Sequence, residues 1–153
     1  MGEGLASNPL LISHKADPAD HLTPTHSDTV TLPWIDRQRI RQRLYTQGGR
    51  ELLLALPRGS TLQAGDLLYQ DSQLEIRVVA QPEDLLHITP TNLLELGRVA
   101  HHLGNWHRPA QCLPDGTLLA ENDSPLQDWL HQQGIPFDAV RQPFQPNLTG
   151  HFH

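Results

Sequence analysis

Hydrophobic and polar residues alternate with a period of two through most of the first eighty positions. Successive side chains of a β-strand point to opposite faces, so this alternation is typical of half-buried strands. Gly, Pro, Asp and Ser residues form turn signals between the runs. The strands predicted in this way are 10–12, 29–34, 37–44, 51–56, 67–70 and 74–80. No helical periodicity lies between them, which predicts a small all-β domain with a polar loop over residues 14–28.

One of these predicted strands carries an arginine at every second position, namely Arg37, Arg39, Arg41 and Arg43. In a strand, this spacing puts four guanidinium groups on one face and the apolar Ile40 and Leu44 on the other. Two interpretations stay open. A solvated strand face explains the arginines without any function. Alternatively, bidentate guanidinium contacts could hold an acidic segment of a partner protein.

Helical periodicity appears after the polar segment 81–84. A helix is predicted to begin after Thr91, a suitable N-cap, and to end at Gly104-Asn105. Its apolar positions keep helical spacing at Leu93, Leu96, Val99, Ala100 and Leu103. A second helix is predicted to begin at the cap Ser124 and to end at Gly134. Short strands at 85–89, 110–112, 117–120 and 137–142 complete the order βαββαβ, the ferredoxin-like arrangement.

Together these patterns predict the fold class α+β, in which a small all-β domain is followed by a ferredoxin-like βαββαβ domain. The first domain is predicted to cover residues 1–82 and the second residues 83–146. Residues 147–153 carry a glycine and two histidines and are predicted to form a flexible tail. The fold class alone does not decide the function, because both scaffolds carry many.

The charge balance is acidic, with 11 Lys and Arg against 17 Asp and Glu and a net charge of −6. A broad basic surface for nucleic acid or an anionic membrane is therefore not expected. No apolar run approaches the roughly 20 residues of a membrane span, and the first residues lack the regions of a signal peptide. The single cysteine, Cys112, fits a reducing compartment. A cytoplasmic protein is the expectation.

Histidine is frequent, with ten residues, of which seven follow residue 80. The densest group is formed by His101, His102 and His107. A helix C-terminus favours a protonated imidazole, which explains His101 and His102 without a metal. His107 lies just past the predicted helix end, where a Gly-Asn turn can lift its ring clear of the core. One histidine is a weak metal site, but two copies across a two-fold axis would supply two nitrogen ligands.

A further pair, His151 and His153, lies at the end of the sequence. Two imidazoles on a flexible segment can close over a metal ion, and imidazole suits nickel, copper and zinc. A tail ligand loses conformational entropy when it is ordered, so such a site opens more easily than a rigid cage. A tail without any metal role is the alternative.

The sequence contains no Gly-x-Ser-x-Gly elbow, no His-Glu-x-x-His helix and no Walker loop. A base and nucleophile pair of His107 and Cys112 is conceivable, but a cysteine on a short strand is more often a small buried apolar residue. A zinc-dependent hydrolase would also need a positioned base, which the sequence does not offer. We therefore expect that the chain is not an enzyme and has no catalytic residues.

Four motifs in the same order resemble those of the UreE family of urease accessory metallochaperones. Residues 102–111 match its hallmark H-L-G-N-R-H-x-P-x-Q except at Trp106, where the family commonly has arginine. The run 56–62 with Gly65 and Asp66 is similar to its L-P-R-G-x-x-L…G-D pattern. The alternating run 37–43 resembles its arginine-rich strand, and residues 143–146 resemble its P-F-x-P segment.

The resemblance implies a nickel chaperone that forms a homodimer through its second domain, with a dimer of dimers around one metal as a further arrangement. It implies that His107 of each subunit is the interfacial Ni(II) ligand and that His151 and His153 are tail ligands. His102 carries over as a motif residue with a less certain metal role. Zn(II) is expected as a competing ion, and the tail lacks the long polyhistidine run of some members.

The implied partners are the urease accessory GTPase and the urease apoprotein complex, to which nickel would be delivered. The N-terminal domain is implied to be a peptide- or partner-binding module. From a different class, the alternative is a peptide-binding adaptor in a protein-assembly complex, whose metal binding is incidental and whose partner is held by Arg37, Arg39, Arg41 and Arg43.

Overall fold

The computed structural model describes residues 8–20 and 22–148, and the α+β class predicted from the sequence is confirmed. The chain divides into two compact units, residues 1–81 and 82–153. The first unit is built almost entirely of strands, and the second combines a sheet with two longer helices. None of the helices in the described part of the chain has the length and apolar character that crossing a membrane requires.

The first unit holds two three-stranded sheets. Its elements are β1 Leu10–Ile12, β2 His26–Leu32, α1 Trp34–Arg37, β3 Arg41–Tyr45, β4 Glu51–Ala55, β5 Leu67–Gln70 and β6 Leu74–Ala80. The sheet orders are β1-β4-β3 and β2-β6-β5. The pairs β1–β4 and β2–β6 are parallel, whereas β3–β4 and β5–β6 are antiparallel. Alternate side chains of both sheets form one apolar core, for example Val30, Leu52, Leu54 and Ile76.

The predicted strand over residues 37–44 is wrong in its first half. Trp34–Arg37 form a short helix, and β3 begins only at Arg41. Trp34 and Arg37 are both buried, and the Arg37 guanidinium donates to the carbonyl of Leu32. Residues three apart lie on one face of a helical turn, so burial of this pair overrides the period-two pattern. Strand β2 also starts earlier than predicted, at His26, and ends at Leu32.

A buried carboxylate ties β2 to the turn between β3 and β4. Asp28 accepts hydrogen bonds from the backbone N–H groups of Thr29 (2.9 Å) and Gly48 (3.0 Å) and from the Arg50 guanidinium (2.7 Å). A β-carbon at Gly48 would lie 2.9 Å from Oδ2 of Asp28, so any larger residue there would displace this carboxylate. Burial raises the pKa of Asp28, but the hydrogen bonds from Thr46, Gly48, Thr29 and Arg50 outweigh it and hold that pKa below its ordinary value.

The second unit has the ferredoxin-like order predicted from the sequence. Its elements are β7 Pro82–Ile88, α2 Leu93–Asn105, β8 Ala110–Cys112, β9 Leu118–Glu121, α3 Ser124–Gln133 and β10 Phe137–Pro143. The strands form one antiparallel sheet in the order β10-β7-β9-β8. Both helices begin one residue away from the predicted caps, because the side chains of Asn92 and Asp123 accept the capping hydrogen bonds.

The helices of the second unit bury their apolar faces on the sheet. Val99 and Leu103 of α2 and Leu126 and Leu130 of α3 belong to the core cluster, together with sheet residues such as Leu86. Leu85, the next position along β7, points to the opposite face and is also buried. Beyond β10, Phe144 is fully buried and holds the segment that follows the last strand.

Replacement of Asp28 by asparagine should lower the free energy of unfolding by about 2 kcal/mol at pH 7, because charge-assisted hydrogen bonds of a buried group are lost. The folded pKa of Asp28 is depressed, so its contribution is complete above the unfolded value, about 3.9, and is lost as pH falls through the lower folded value. Urea unfolding at pH 7 and at pH 3 would measure both effects. The exposed Asp20→Asn is the control, and an equal loss in the two variants would contradict the prediction.

Candidate metal centre

His107 occupies a special position at the end of α2. It has a φ of 56°, in the left-handed region, and is the one non-glycine residue with positive φ among residues 8–20 and 22–148. Its N–H donates to the carbonyl of Gly104 (3.1 Å), and the next N–H, of Arg108, donates to the carbonyl of Leu103 (2.8 Å). These two bonds form a Schellman motif, in which glycine usually takes the left-handed place.

The sequence predicted that this helix would end at Gly104-Asn105, and α2 does end at Asn105. The left-handed residue that completes the stop is His107, and neither Gly104 nor Asn105 takes that conformation. A residue with a β-carbon costs about 1 kcal/mol in that conformation. The side chain of His107 is exposed, so no packing compensates for this cost. The imidazole is thus kept at a site where the backbone alone would favour glycine.

His102 lies between two tryptophan rings. Its ring is stacked on Trp129, with centroids 3.8 Å apart and planes 6° apart, and is tilted against Trp106 at 3.9 Å. Its Nε2 is covered and has no hydrogen-bond partner within the described residues. Burial lowers the pKa of His102, and the charges of Arg108 and His101 lower it further, so the ring is neutral at pH 7. The His102 ring is thus packed between Trp106 and Trp129, and its role as a metal ligand stays a prediction.

Arg108 extends the stack that Trp129, His102 and Trp106 form. The guanidinium of Arg108 lies 5.0 Å from the centre of the Trp106 ring and forms an ion pair with Asp123, the N-cap of α3. Trp106 therefore contributes a cation–π contact at the position where the family motif commonly has arginine. The stack connects the end of α2 with the start of α3 and holds the residues on both sides of His107.

The predicted tail ligands His151 and His153 lie outside the described residues. The last described residue, Leu148, forms an antiparallel bridge with Ala110 of β8. The Leu148 N–H donates to the Ala110 carbonyl (2.9 Å), and the Ala110 N–H donates to the Leu148 carbonyl (3.1 Å). The chain therefore leaves the described region beside Ala110, three residues after His107.

A single described chain does not complete a metal site. Within residues 8–20 and 22–148, no group of three His, Cys, Asp or Glu side chains is arranged to hold an ion. Cys112 is half-buried, and its thiol is directed to the Leu113 carbonyl at 3.9 Å. Further donors to an ion at His107 would have to come from the tail or from a second copy of the chain.

The predicted arginine face for a partner is not formed. Arg37 is buried in α1, and Arg39 precedes β3, so only Arg41 and Arg43 share the strand. Arg39 is 3.7 Å from Asp36, and Arg43 lies 2.9 Å from Glu51 across β3 and β4. Neighbouring carboxylates thus offset two of the four charges.

One exposed face of α2 was not identified from the sequence as functional. Leu93 and Leu94 are 84% and 65% exposed at the start of the helix. Gly97 and Gly104 follow at intervals of three to seven residues, and a β-carbon at either would meet no atom within 4 Å. The sequence signal for this face is Gly97, because a glycine inside a helix costs about 1 kcal/mol relative to alanine and so favours a close backbone contact, without indicating the partner.

Comparison with known proteins supports a single assignment for both units. The family model described as UreE urease accessory protein, N-terminal domain, matches residues 11–81, and the model for the C-terminal domain matches residues 83–153. The family description is that of an accessory protein, in agreement with the expectation that the chain is not an enzyme.

Three similar curated proteins are each described as urease accessory protein UreE. The protein of Ralstonia nicotianae is 38% identical over 128 residues, which cover 81% of this chain and 60% of the relative. The protein of Bacillus cereus is 40% identical over 108 residues, which cover 68% of this chain and 71% of the relative. The protein of Paraburkholderia xenovorans is 41% identical over 129 residues, which cover 82% of this chain and 57% of the relative.

The aligned part of the chain thus spans less than two thirds of the length of two of these relatives. The two family models nevertheless cover nearly the whole of the present sequence, one for each compact unit. This chain belongs to the UreE urease accessory protein family.

Proposed function

We propose that the chain is a cytoplasmic nickel chaperone of urease maturation, which binds Ni(II) as cargo at a homodimer interface through His107. The cargo would pass to the urease apoprotein complex together with the urease accessory GTPase. One observation carries this proposal: the exposed imidazole of His107 is held in a left-handed turn, although no group of donors within the described chain completes a site around it.

A shared site follows from the chemistry of a single exposed imidazole. One nitrogen ligand binds a divalent ion weakly, whereas several imidazoles around it bind nickel, copper or zinc well. A two-fold axis through a symmetric interface places a residue opposite its own copy. His107 lies just past the end of α2 and is itself exposed, so its copy can supply the second nitrogen without rearrangement of the fold.

The exposed face of α2 supports the second copy as the other half of the site. Gly97 and Gly104 each cost about 1 kcal/mol relative to alanine within a helix. No contact with the described residues requires them, since a β-carbon at either position would meet none of their atoms within 4 Å. Close approach of another helix explains both glycines, and the exposed Leu93 and Leu94 supply apolar area to bury. The same helix ends at His107.

The direction of the last described residues supports a ligand from the tail. The bridge between Leu148 and Ala110 is antiparallel, so at Leu148 the described chain points along β8 towards the start of that strand. His151 is three residues beyond Leu148, and His107 is three residues before Ala110. Three extended residues span about 10 Å, so His151 can reach His107 of its own chain. His153 has two residues more of reach.

A site of imidazoles from two chains and two tails suits delivery. Zn(II) competes for such ligands, since the same nitrogen donors serve both ions. A tail ligand can leave without unfolding either unit, and its departure opens a coordination position for transfer. The alternative function, a peptide-binding adaptor, depended on a continuous arginine face, and β3 carries only two of those four residues.

Removal of the His107 imidazole should abolish tight nickel binding. Because the backbone is left-handed, His107→Gly should fold at least as stably as the parent chain, whereas His107→Ala keeps the strain. Calorimetric titration of Ni(II) should show about one tight ion per dimer for the parent and none for either variant. His131→Ala, an exposed histidine on α3, is the control. Undiminished affinity in His107→Gly would refute the proposal.

A large side chain on the exposed face of α2 should separate the dimer. Gly97→Leu adds bulk where a second helix would approach, and its β-carbon would meet no atom of the described residues within 4 Å. We expect a monomer with parent-like helix content and at least tenfold weaker nickel binding. Light scattering after size exclusion would measure the mass. Gln132→Leu on the exposed side of α3 is the matched control, and a Gly97→Leu dimer would show that this face is not the interface.

A further inference from the structure

A cationic side chain, that of Arg108, follows directly on the imidazole of His107 along the chain. Two contacts fix its guanidinium: it lies 5.0 Å from the centre of the Trp106 ring, and it forms an ion pair with the Asp123 carboxylate. The side chains of Arg108 and Asp123 are 26% and 36% exposed, so both charges are partly shielded from solvent. The structure thus holds a positive charge beside the turn that presents His107.

A fixed cation beside a metal ligand opposes the binding of a divalent cation. The repulsion between like charges falls as the inverse of their separation. At about 10 Å in water, a unit charge changes the binding constant of a divalent ion by about fourfold at low salt. Around an ion shared by two subunits, two copies of Arg108 would act together and give about sixteenfold. An uncompensated Arg108 would therefore weaken a site at His107.

Asp123 divides its carboxylate between two tasks. Its Oδ1 accepts a hydrogen bond from the N–H of Leu126 (2.8 Å) and so caps α3, while its Oδ2 accepts from the Arg108 guanidinium. Asparagine is as good an N-cap as aspartate, so the capping bond does not depend on a charge. Of these two contacts, only the one with Arg108 uses the negative charge.

We propose that Asp123 sets the affinity of the His107 site for divalent cations by neutralising Arg108. This inference rests on the proposed nickel function, in which His107 binds Ni(II) as cargo. Asp123 is a positioning residue, because it acts through Arg108 and does not touch the ion. With the pair intact, a doubly charged ion meets no net charge from these two side chains when it approaches the imidazole.

This electrostatic role is separable from the shaping of the turn. The two backbone hydrogen bonds that end α2 involve no side chain, so they persist without the charge of Asp123. The Trp106 ring also continues to hold the Arg108 guanidinium when the carboxylate is lost. Removal of the charge therefore leaves His107 in its turn, with an unpaired cation beside it.

The test is a double-mutant cycle in the full chain, read out by competitive Ni(II) titration at about 0.01 M salt, where the screening length is about 30 Å. Asp123→Asn keeps the cap but leaves Arg108 unpaired, so it should weaken binding about fourfold to sixteenfold. Arg108→Gln leaves Asp123 unpaired and should strengthen binding by a similar factor. In D123N/R108Q the two effects should cancel, so the affinity should return to that of the parent chain.

The matched control is Asp128→Asn. Asp128 is exposed on the same helix, and its replacement changes the net charge by the same amount without touching the ion pair. Its effect on nickel affinity should be less than about twofold. At 1 M salt, where the screening length falls to about 3 Å, Asp123→Asn should bind nickel as tightly as the parent chain does.

A structural role for the ion pair would give a different pattern. Equal weakening in Asp123→Asn and Arg108→Gln, with no recovery in the double variant, would show that the pair acts by shaping the turn and would overturn the inference. A loss in Asp123→Asn that persists at 1 M salt, or no loss at low salt, would overturn it too. If His107→Gly kept the nickel affinity of the parent chain, the proposed function would fail, which is a separate result from failure at Asp123.

Discussion

Two backbone hydrogen bonds at the end of α2 determine where the second unit exposes the imidazole of His107. The bonds from His107 to Gly104 and from Arg108 to Leu103 stop the helix and turn the chain left-handed. They place the imidazole outside the core, whereas Leu103, four residues earlier, is fully buried. Arg108 then enters the stack with Trp106 and the ion pair with Asp123, so the turn is held against α3 as well as by its own backbone.

Two features of the second unit lie close together in the sequence: the exposed His107 and the edge strand β8. His107 is carried by a helix whose buried face is locked on the sheet. The tail begins from an edge strand, where backbone and amide hydrogen bonds with β8 hold its first residues.

The sequence predicted much of this architecture because hydrophobic periodicity is local. Strands such as Leu67–Gln70 and Leu74–Ala80 were predicted with their observed ends, and so was the βαββαβ order of the second unit. The strand predicted over residues 37–44 was wrong in its first half, because Trp34 and Arg37 are buried on one side of a short helix. Their burial depends on the surrounding core, which a period-two sequence pattern does not reveal. The observed N-caps of both helices lie one residue from the predicted ones, because neighbouring polar residues compete for the same backbone N–H groups.

By itself the sequence determined the α+β class and the family motifs, and it singled out His107 as a candidate, because these depend on residues close together in the chain. Only the tertiary structure decided that His107 adopts the left-handed turn, that His102 is enclosed by Trp106 and Trp129, and that Asn147 pairs with Cys112. The last contact joins residues 35 positions apart. Such contacts arise from the packing of whole elements, and no local pattern of residue types specifies which distant groups will meet.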